Sequence, residues 1–153
     1  LQMNAFRHTL LIAAGIGLIS ATGIVLAQET PTAAPAGVKL IDAPAVQALQ
    51  GKGAVLIDTR KASEFSDGTI KGAISVPYDP EKSAKDAKFD ASQDKFDMAK
   101  IADKNKDYVL FCNSGTCWKS YKAAVVMAKA GYKNVHWYRS GFPDWKTRKL
   151  PTE

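Results

Sequence analysis

The chain has 153 residues, 46% of them hydrophobic and 24% charged, the balance of an ordinary globular protein with room for one core and not for two domains. Its net charge of +6 is spread through Lys-rich stretches with acids interleaved, as in Glu81-Lys-Ser-Ala-Lys-Asp-Ala-Lys88. That pattern reads as a solvated face and argues against a nucleic-acid patch, although a basic surface still favours small anionic substrates.

Asn4 to His8 is a short leading region carrying Arg7, and Thr9 to Ala27 is uncharged and mostly apolar. Val25-Leu26-Ala27 offers small residues where a signal peptidase reads, so residues 1–27 are expected to be a signal peptide. An uncleaved membrane anchor is the rival, weakened by Gly15, Gly17, Ser20, Thr22 and Gly23. Either way the domain is expected outside the cytoplasm, in a bacterial periplasm, where cysteines meet an oxidising medium. Residues 28–37 are polar and carry two prolines, as a linker would, and the domain proper runs over 38–153.

From there, short apolar runs alternate with helical patterns. Val38 to Ile41 predicts an edge strand, and Asp42 a cap for a helix through Ala45, Val46 and Leu49 that stops near Gly51 and Gly53. Ala54 to Ile57 reads as a buried strand closed by Asp58-Thr-Arg60. A short helix over Ala62 to Phe65 and a strand over Ala73 to Val76 follow. Asp79 to Lys95 is Lys/Asp-rich and predicts a surface insertion, then Phe96 to Ala102 a brief helix. Tyr108 to Phe111 is the central strand, Ser120 to Ala130 an amphipathic helix ended by Gly131, Asn134 to Tyr138 a fifth strand and Gly141 to Lys146 a last helix. Strands alternating with helices imply a parallel α/β sheet.

The chemistry gathers between the central strand and its helix, in Cys112-Asn-Ser-Gly-Thr-Cys-Trp-Lys-Ser120, which contains both cysteines. Asn113, Ser114, Gly115 and Thr116 have little bulk. A loop of that kind ahead of a helix N-terminus can turn its N–H groups inward as an anion cradle, to which Trp118, Lys119 and Ser120 would also belong. A thiol at its mouth has its pKa lowered, which marks Cys112 as a nucleophile. The bland reading is an inert pair, a disulfide staple or two small core residues. Neither a metal nor an organic cofactor is called for. His8 lies in the leader, and His136 reads as an ordinary strand residue.

Several motifs in order resemble the rhodanese-like domain family. Leu56-Ile-Asp-Thr-Arg60, Glu64-Phe65 and Gly68-Thr-Ile-Lys-Gly-Ala-Ile-Ser-Val-Pro77 look like its "D-x-R" strand end and "G-x-I-x-G-A-x-x-x-P" run. Gly131-Tyr-Lys-Asn-Val135, Tyr138-Arg-Ser-Gly141, Trp145 and Leu150-Pro151 match its C-terminal half. The resemblance implies a five-stranded parallel sheet with helices on both faces. It also implies a cysteine at the end of the central strand, here Cys112, that carries sulfane sulfur as a persulfide. Asp58, Arg60 and Glu64 are supporting residues in that pattern, with Arg60 expected to pair with Glu64 and to act as fold glue.

The expected activity is therefore a sulfurtransferase of the thiosulfate type, taking sulfur from a small anionic donor to a thiophilic acceptor, with a periplasmic protein as a further possible partner. The loop departs from the family's common Cys-x-x-Gly-x-Arg-Ser. The arginine is absent, and the C-x4-C-W form is similar to a subset of exported rhodanese-like proteins. Two other readings stay open: a thiol–disulfide protein cycling Cys112 and Cys117, and a non-enzymatic rhodanese-like binding module. The cysteines are expected to form a labile disulfide in the resting protein, with Cys117 as resolving or redox partner.

Overall fold

The computed structural model describes residues 26–153, so all but Leu26 and Ala27 of the leader-like segment lie outside the described residues. Five strands, β1 (Val38–Leu40), β2 (Val55–Asp58), β3 (Ile74–Ser75), β4 (Asp107–Phe111) and β5 (Asn134–Tyr138), make one sheet in the order β1-β5-β4-β2-β3. Every neighbouring pair is parallel. β2, β4 and β5 are near-continuous apolar runs because the middle of a parallel sheet is covered on both faces.

Alternate side chains of each strand go to opposite faces. Tyr108 and Leu110 of β4, Ile57 of β2 and Val135 of β5 enter one core with Ala123, Ala124 and Met127 of α3 (Trp118–Lys129). Val109 and Phe111 of β4, Leu56 and Tyr138 enter the other, against Ala43 and Val46 of α1 (Ala43–Gly51) and Phe142 and Trp145 of α4 (Gly141–Thr147). The fifth-strand Trp137 adds a third cluster with Trp118, Tyr121 and Val125 of α3. A short α2 (Ala62–Ser66) has no buried residue.

The helix over α1 begins as the sequence indicates, the Asp42 carboxylate accepting from the Ala45 N–H at 3.1 Å. Elsewhere three expectations are corrected. The stretch expected as a helix over Phe96 to Ala102 is only a 3-10 turn, Met98–Ile101. The central helix starts two residues early, at Trp118, which makes Cys117 its N-cap. The segment expected as a linker packs on the domain instead. Thr30 is 2% exposed, and Ala34 lies against the Trp118–Trp137 cluster.

The insertion over Asp79 to Lys95 is also less solvated than its composition suggests. Lys122, fully buried on α3, reaches out of the core to the Ser83 carbonyl (3.1 Å), the Ser83 hydroxyl (2.9 Å) and the Glu81 carboxylate (2.8 Å). Asp94 completes the clamp, accepting from Tyr78 Oη (2.8 Å), the Ser83 hydroxyl (2.5 Å) and the Ser83 and Lys82 N–H groups. A buried ammonium needs such partners, since an uncompensated charge in the interior is strongly destabilising.

Candidate functional site: the cysteine loop between strands four and five

α3 leaves the end of β4 toward one face of the sheet, whereas α4 leaves the end of the adjacent β5 toward the other. Loops that part in this way open a crevice at the carboxyl ends of the strands, where α/β sheets place their ligands. Cys112 lies where those two loops part, one residue past β4. Its carbonyl accepts from the Phe142 N–H at 2.8 Å. Gly141, at φ 68°, makes the turn that allows this, and a Cβ there would run into the Cys112 carbonyl. β5 and α4 thus set the backbone of the cysteine directly.

Cys112 and Cys117 are joined in a disulfide, their Cα atoms 6.1 Å apart, within the span a disulfide bridges without backbone movement. The pairing expected from the sequence is present. Cys112 is 1% exposed in this state, while Cys117 is partly exposed. The ring between them is internally bonded. The Cys117 N–H donates to the Ser114 carbonyl at 3.0 Å, and the Ser114 and Thr116 hydroxyls lie 3.0 Å apart.

The residues assigned to an anion cradle divide into two groups. Asn113 remains at the loop, its side-chain N–H donating to Glu64 Oε1 at 2.6 Å. Trp118 and Ser120 turn into the core, Ser120 Oγ accepting from Trp137 Nε1 at 3.0 Å, so both offer the loop only backbone. Lys119 Nζ is held by the Tyr78 carbonyl and Asp79, each at 3.0 Å, and ties the first turn of α3 to the start of the insertion. The side chains of Trp118, Lys119 and Ser120 thus turn away from Cys112, and these residues could serve a cradle only through the backbone N–H groups that the sequence reading asked of them.

Among the supporting residues the expected partner is corrected. Arg60 pairs not with Glu64 but with Asp58, in a fork of Nε to Oδ1 (3.0 Å) and Nη2 to Oδ2 (2.6 Å), and donates to the Gly68 carbonyl at 2.7 Å. Two residues of separation at a strand end let the fork close locally, and Asp58, fully buried, has the Thr69 hydroxyl as a further donor. Glu64 is left for the loop. Partial burial pushes its carboxyl up, but the hydrogen bonds from Asn113 and the Lys61 N–H, with the charges of Arg60 and Lys119, outweigh that and hold it below the ordinary carboxylate value. His136 bonds to Asp107 across β4 and β5 at 2.8 Å, far along the strand from the cysteines.

The sequence reading missed one arginine that packs on the cysteine loop. Arg139, just past β5, lays its guanidinium against Gly115 so closely that a Cβ there would meet Cζ at 2.7 Å. Its Nε donates to Thr30 Oγ1 (3.1 Å) and the Pro31 carbonyl (3.2 Å), and its Nη2 to the Thr30 carbonyl (3.0 Å) and Glu29 (3.2 Å). Thr30 in turn donates both its N–H and its hydroxyl to the Gly115 carbonyl, each at 2.7 Å. Trp118 Nε1 donates to the Gln28 carbonyl at 2.8 Å. The segment from Gln28 to Pro31 is thus a strap across the cysteine loop, buckled by Arg139. The motif Tyr138-Arg-Ser-Gly141 was the only trace of this in the sequence, and it carries no distance information.

A hollow of about 550 Å³ lies beside the loop and not over the cysteines, between Leu40, Ile41, Asp42 and Ala45 on one side and Arg139 and Ser140 on the other. A smaller one of about 160 Å³ is formed by Arg60, Glu64, Asp67, Gly68, Phe142 and Lys146. It adjoins Cys112 through the Glu64–Asn113 bond.

Residues 42–148 match the family model of the rhodanese-like domain. The chain belongs to the rhodanese family. A human thiosulfate:glutathione sulfurtransferase is 27% identical over 111 residues, which cover 72% of this chain and 95% of that protein. A mitochondrial protein of Schizosaccharomyces pombe assigned as a thiosulfate sulfurtransferase is 27% identical over 97 residues, and the match spans 66% of its length. Among solved structures, a rhodanese-related protein of Thermoplasma volcanium superimposes with a TM-score of 0.55 at 20% identity, covering 75% of this chain and 97% of that one. At such identity the last likeness speaks for the fold alone. The five-stranded parallel sheet is the rhodanese sheet, and weak similarity to sulfurtransferases accompanies it.

Proposed function

We propose that this rhodanese domain is an exported sulfurtransferase that carries sulfane sulfur as a persulfide on Cys112. The observation that carries the reading is the place of that cysteine. It stands at the end of the central strand where the loops to two diverging helices part, its backbone held by Phe142 and its neighbour Asn113 by Glu64. In the reduced protein the Cys112 thiolate attacks the outer sulfur of a donor such as thiosulfate. The S–S bond of the donor breaks, sulfite leaves with its electron pair, and Cys112 keeps the sulfur as an anionic persulfide. Backbone N–H groups around the loop and the N-terminus of α3 stabilise that charge. A thiophilic acceptor then removes the outer sulfur and returns the thiolate.

Export rests on the leader-like residues 4–27, and a cysteine pair close enough to bridge suits an oxidising compartment outside the cytoplasm. One observation, the disulfide itself, favours thiol–disulfide handling as a second reading. The test is to reduce the protein, add thiosulfate, and look for sulfite from the wild-type protein and, in the Cys117→Ser variant, for one added sulfur on Cys112 by peptide mass spectrometry. Cys112→Ser is expected to abolish sulfite release, and Cys117→Ser to keep substantial single-turnover persulfide formation. Sulfur found on Cys117, or a Cys112→Ser protein that still transfers sulfur, would reverse the roles.

A further inference from the structure

We propose that Cys117 is an internal acceptor, so that the domain releases the sulfur it takes as sulfide and closes the Cys112–Cys117 disulfide in doing so. The inference rests on the persulfide reading above and goes beyond it, because it turns a transferase into an enzyme that reduces sulfane sulfur. In the step, the Cys117 thiol loses its proton and attacks the inner sulfur of the Cys112 persulfide. The Cys112 sulfur–sulfur bond breaks, hydrosulfide departs with the electron pair and the proton, and a Cys112–Cys117 bond forms. The sulfane sulfur gains two electrons and the two cysteine sulfurs lose them. The bond that results is the one the structure contains.

What makes this step outrun an external acceptor is that contacts other than the disulfide hold the two cysteines together. The Cys112 carbonyl is pinned by the Phe142 N–H, Asn113 by Glu64, and the Gly115 carbonyl by two donors of Thr30. Arg139 presses on Gly115 from behind and is itself fixed by Glu29, Thr30 and Pro31. At the far end Cys117 is the N-cap of a twelve-residue helix, its N–H bonded to Ser114. None of these bonds involves sulfur, so reduction leaves them in place. The Cys117 thiol then stays within reach of Cys112 and reacts at the high effective concentration of an oriented neighbour. A thiolate at that N-cap is also stabilised by the helix dipole.

Turnover needs a two-electron reductant, which a dithiol supplies. Cys112 is 1% exposed whereas Cys117 is partly exposed, so an incoming thiolate meets the Cys117 sulfur first. It forms a mixed disulfide there and expels the Cys112 thiolate. The second thiol of the reductant then attacks the mixed disulfide and releases Cys117. The sum is thiosulfate plus a dithiol giving sulfite, hydrosulfide and the oxidised dithiol.

The experiment is a single turnover. Protein reduced with dithiothreitol and freed of it receives one equivalent of thiosulfate, and sulfite, sulfide and free thiols are followed together. The expected result is one sulfite and one sulfide per chain with both thiols lost, whereas Cys117→Ser and Cys117→Ala still release sulfite but no sulfide and hold one extra sulfur on Cys112. Thr30→Val, which removes one of the two bonds to Gly115, is expected to slow the sulfide step relative to the sulfite step several-fold. Sulfite release with a persistent persulfide on the wild-type protein overturns the internal acceptor and leaves the sulfurtransferase standing. Absence of sulfite overturns both.

Discussion

Gly141→Ala probes the contact that sets the backbone of Cys112. At φ 68° an alanine pays the left-handed penalty of about 1–2 kcal/mol. The new Cβ also falls on the Cys112 carbonyl, with the carbonyl carbons of Cys112 and Asn113 close behind at 3.0 and 3.1 Å. All three are backbone, so relief requires the β4–α3 loop to move away from α4. That movement breaks the bond from the Phe142 N–H to the Cys112 carbonyl, worth about 0.5–1.5 kcal/mol. Together the loss is about 1.5–3.5 kcal/mol, which for a domain of this size lowers Tm by roughly 5–15 °C. Function should suffer more than stability, because a shift of about 1 Å in a reacting group can cost on the order of a hundredfold in rate. The assay is thermal unfolding by circular dichroism beside the sulfite-release rate of the reduced protein. An alanine variant with wild-type Tm and wild-type rate would refute the claim that α4 positions Cys112.

Further expectations concern the insertion, acid stability and the N-terminus. Lys122→Ala leaves the Glu81 and Asp94 carboxylates against an apolar wall and is expected to destabilise by about 3–5 kcal/mol, read by urea denaturation; a loss below about 1 kcal/mol would mean the clamp is open to water. Burial pushes the Asp94 carboxyl up, but its hydrogen bonds from Ser83, Tyr78 and Lys82 outweigh that and hold it below the usual value, and Glu64 is depressed likewise. Such groups stabilise the fold fully above their unfolded values near 4, and the contribution is lost as pH falls through the lower folded values. Denaturant midpoints are therefore expected to stay flat from neutrality to about pH 5 and to fall below about pH 4, and Asp94→Asn should flatten that fall. Intact mass of protein recovered from the periplasm is expected to begin near Gln28; full-length protein found only in the membrane fraction would overturn cleavage.

The order of elements was legible because each carries its own local physics. The apolar runs of β2, β4 and β5, the Asp42 cap and Gly131 at the end of α3 are read within a few residues. Cys112 and Cys117 stood out for the same reason, lying together in one short loop between a strand and a helix. Partners were not legible. Arg60 has carboxylates at positions 58 and 64, and chain order does not decide between them; the strand end, which buries Asp58 under Thr69, does. Lys122 looks like any helix lysine until Ser83 and Glu81 are folded over it.

The sequence by itself determined the sheet, its parallel sense and the loop that holds both cysteines, since hydrophobic period and turn residues act over short stretches of chain. Tertiary structure alone decided that Thr30 and Arg139, more than a hundred residues apart, close a strap over Gly115. It alone decided that Phe142 of a later helix holds the Cys112 carbonyl, over the turn that Gly141 makes. Hydrogen bonds of that kind depend on which strands lie side by side, and β5 comes to rest between β1 and β4 only when both faces of the sheet are covered.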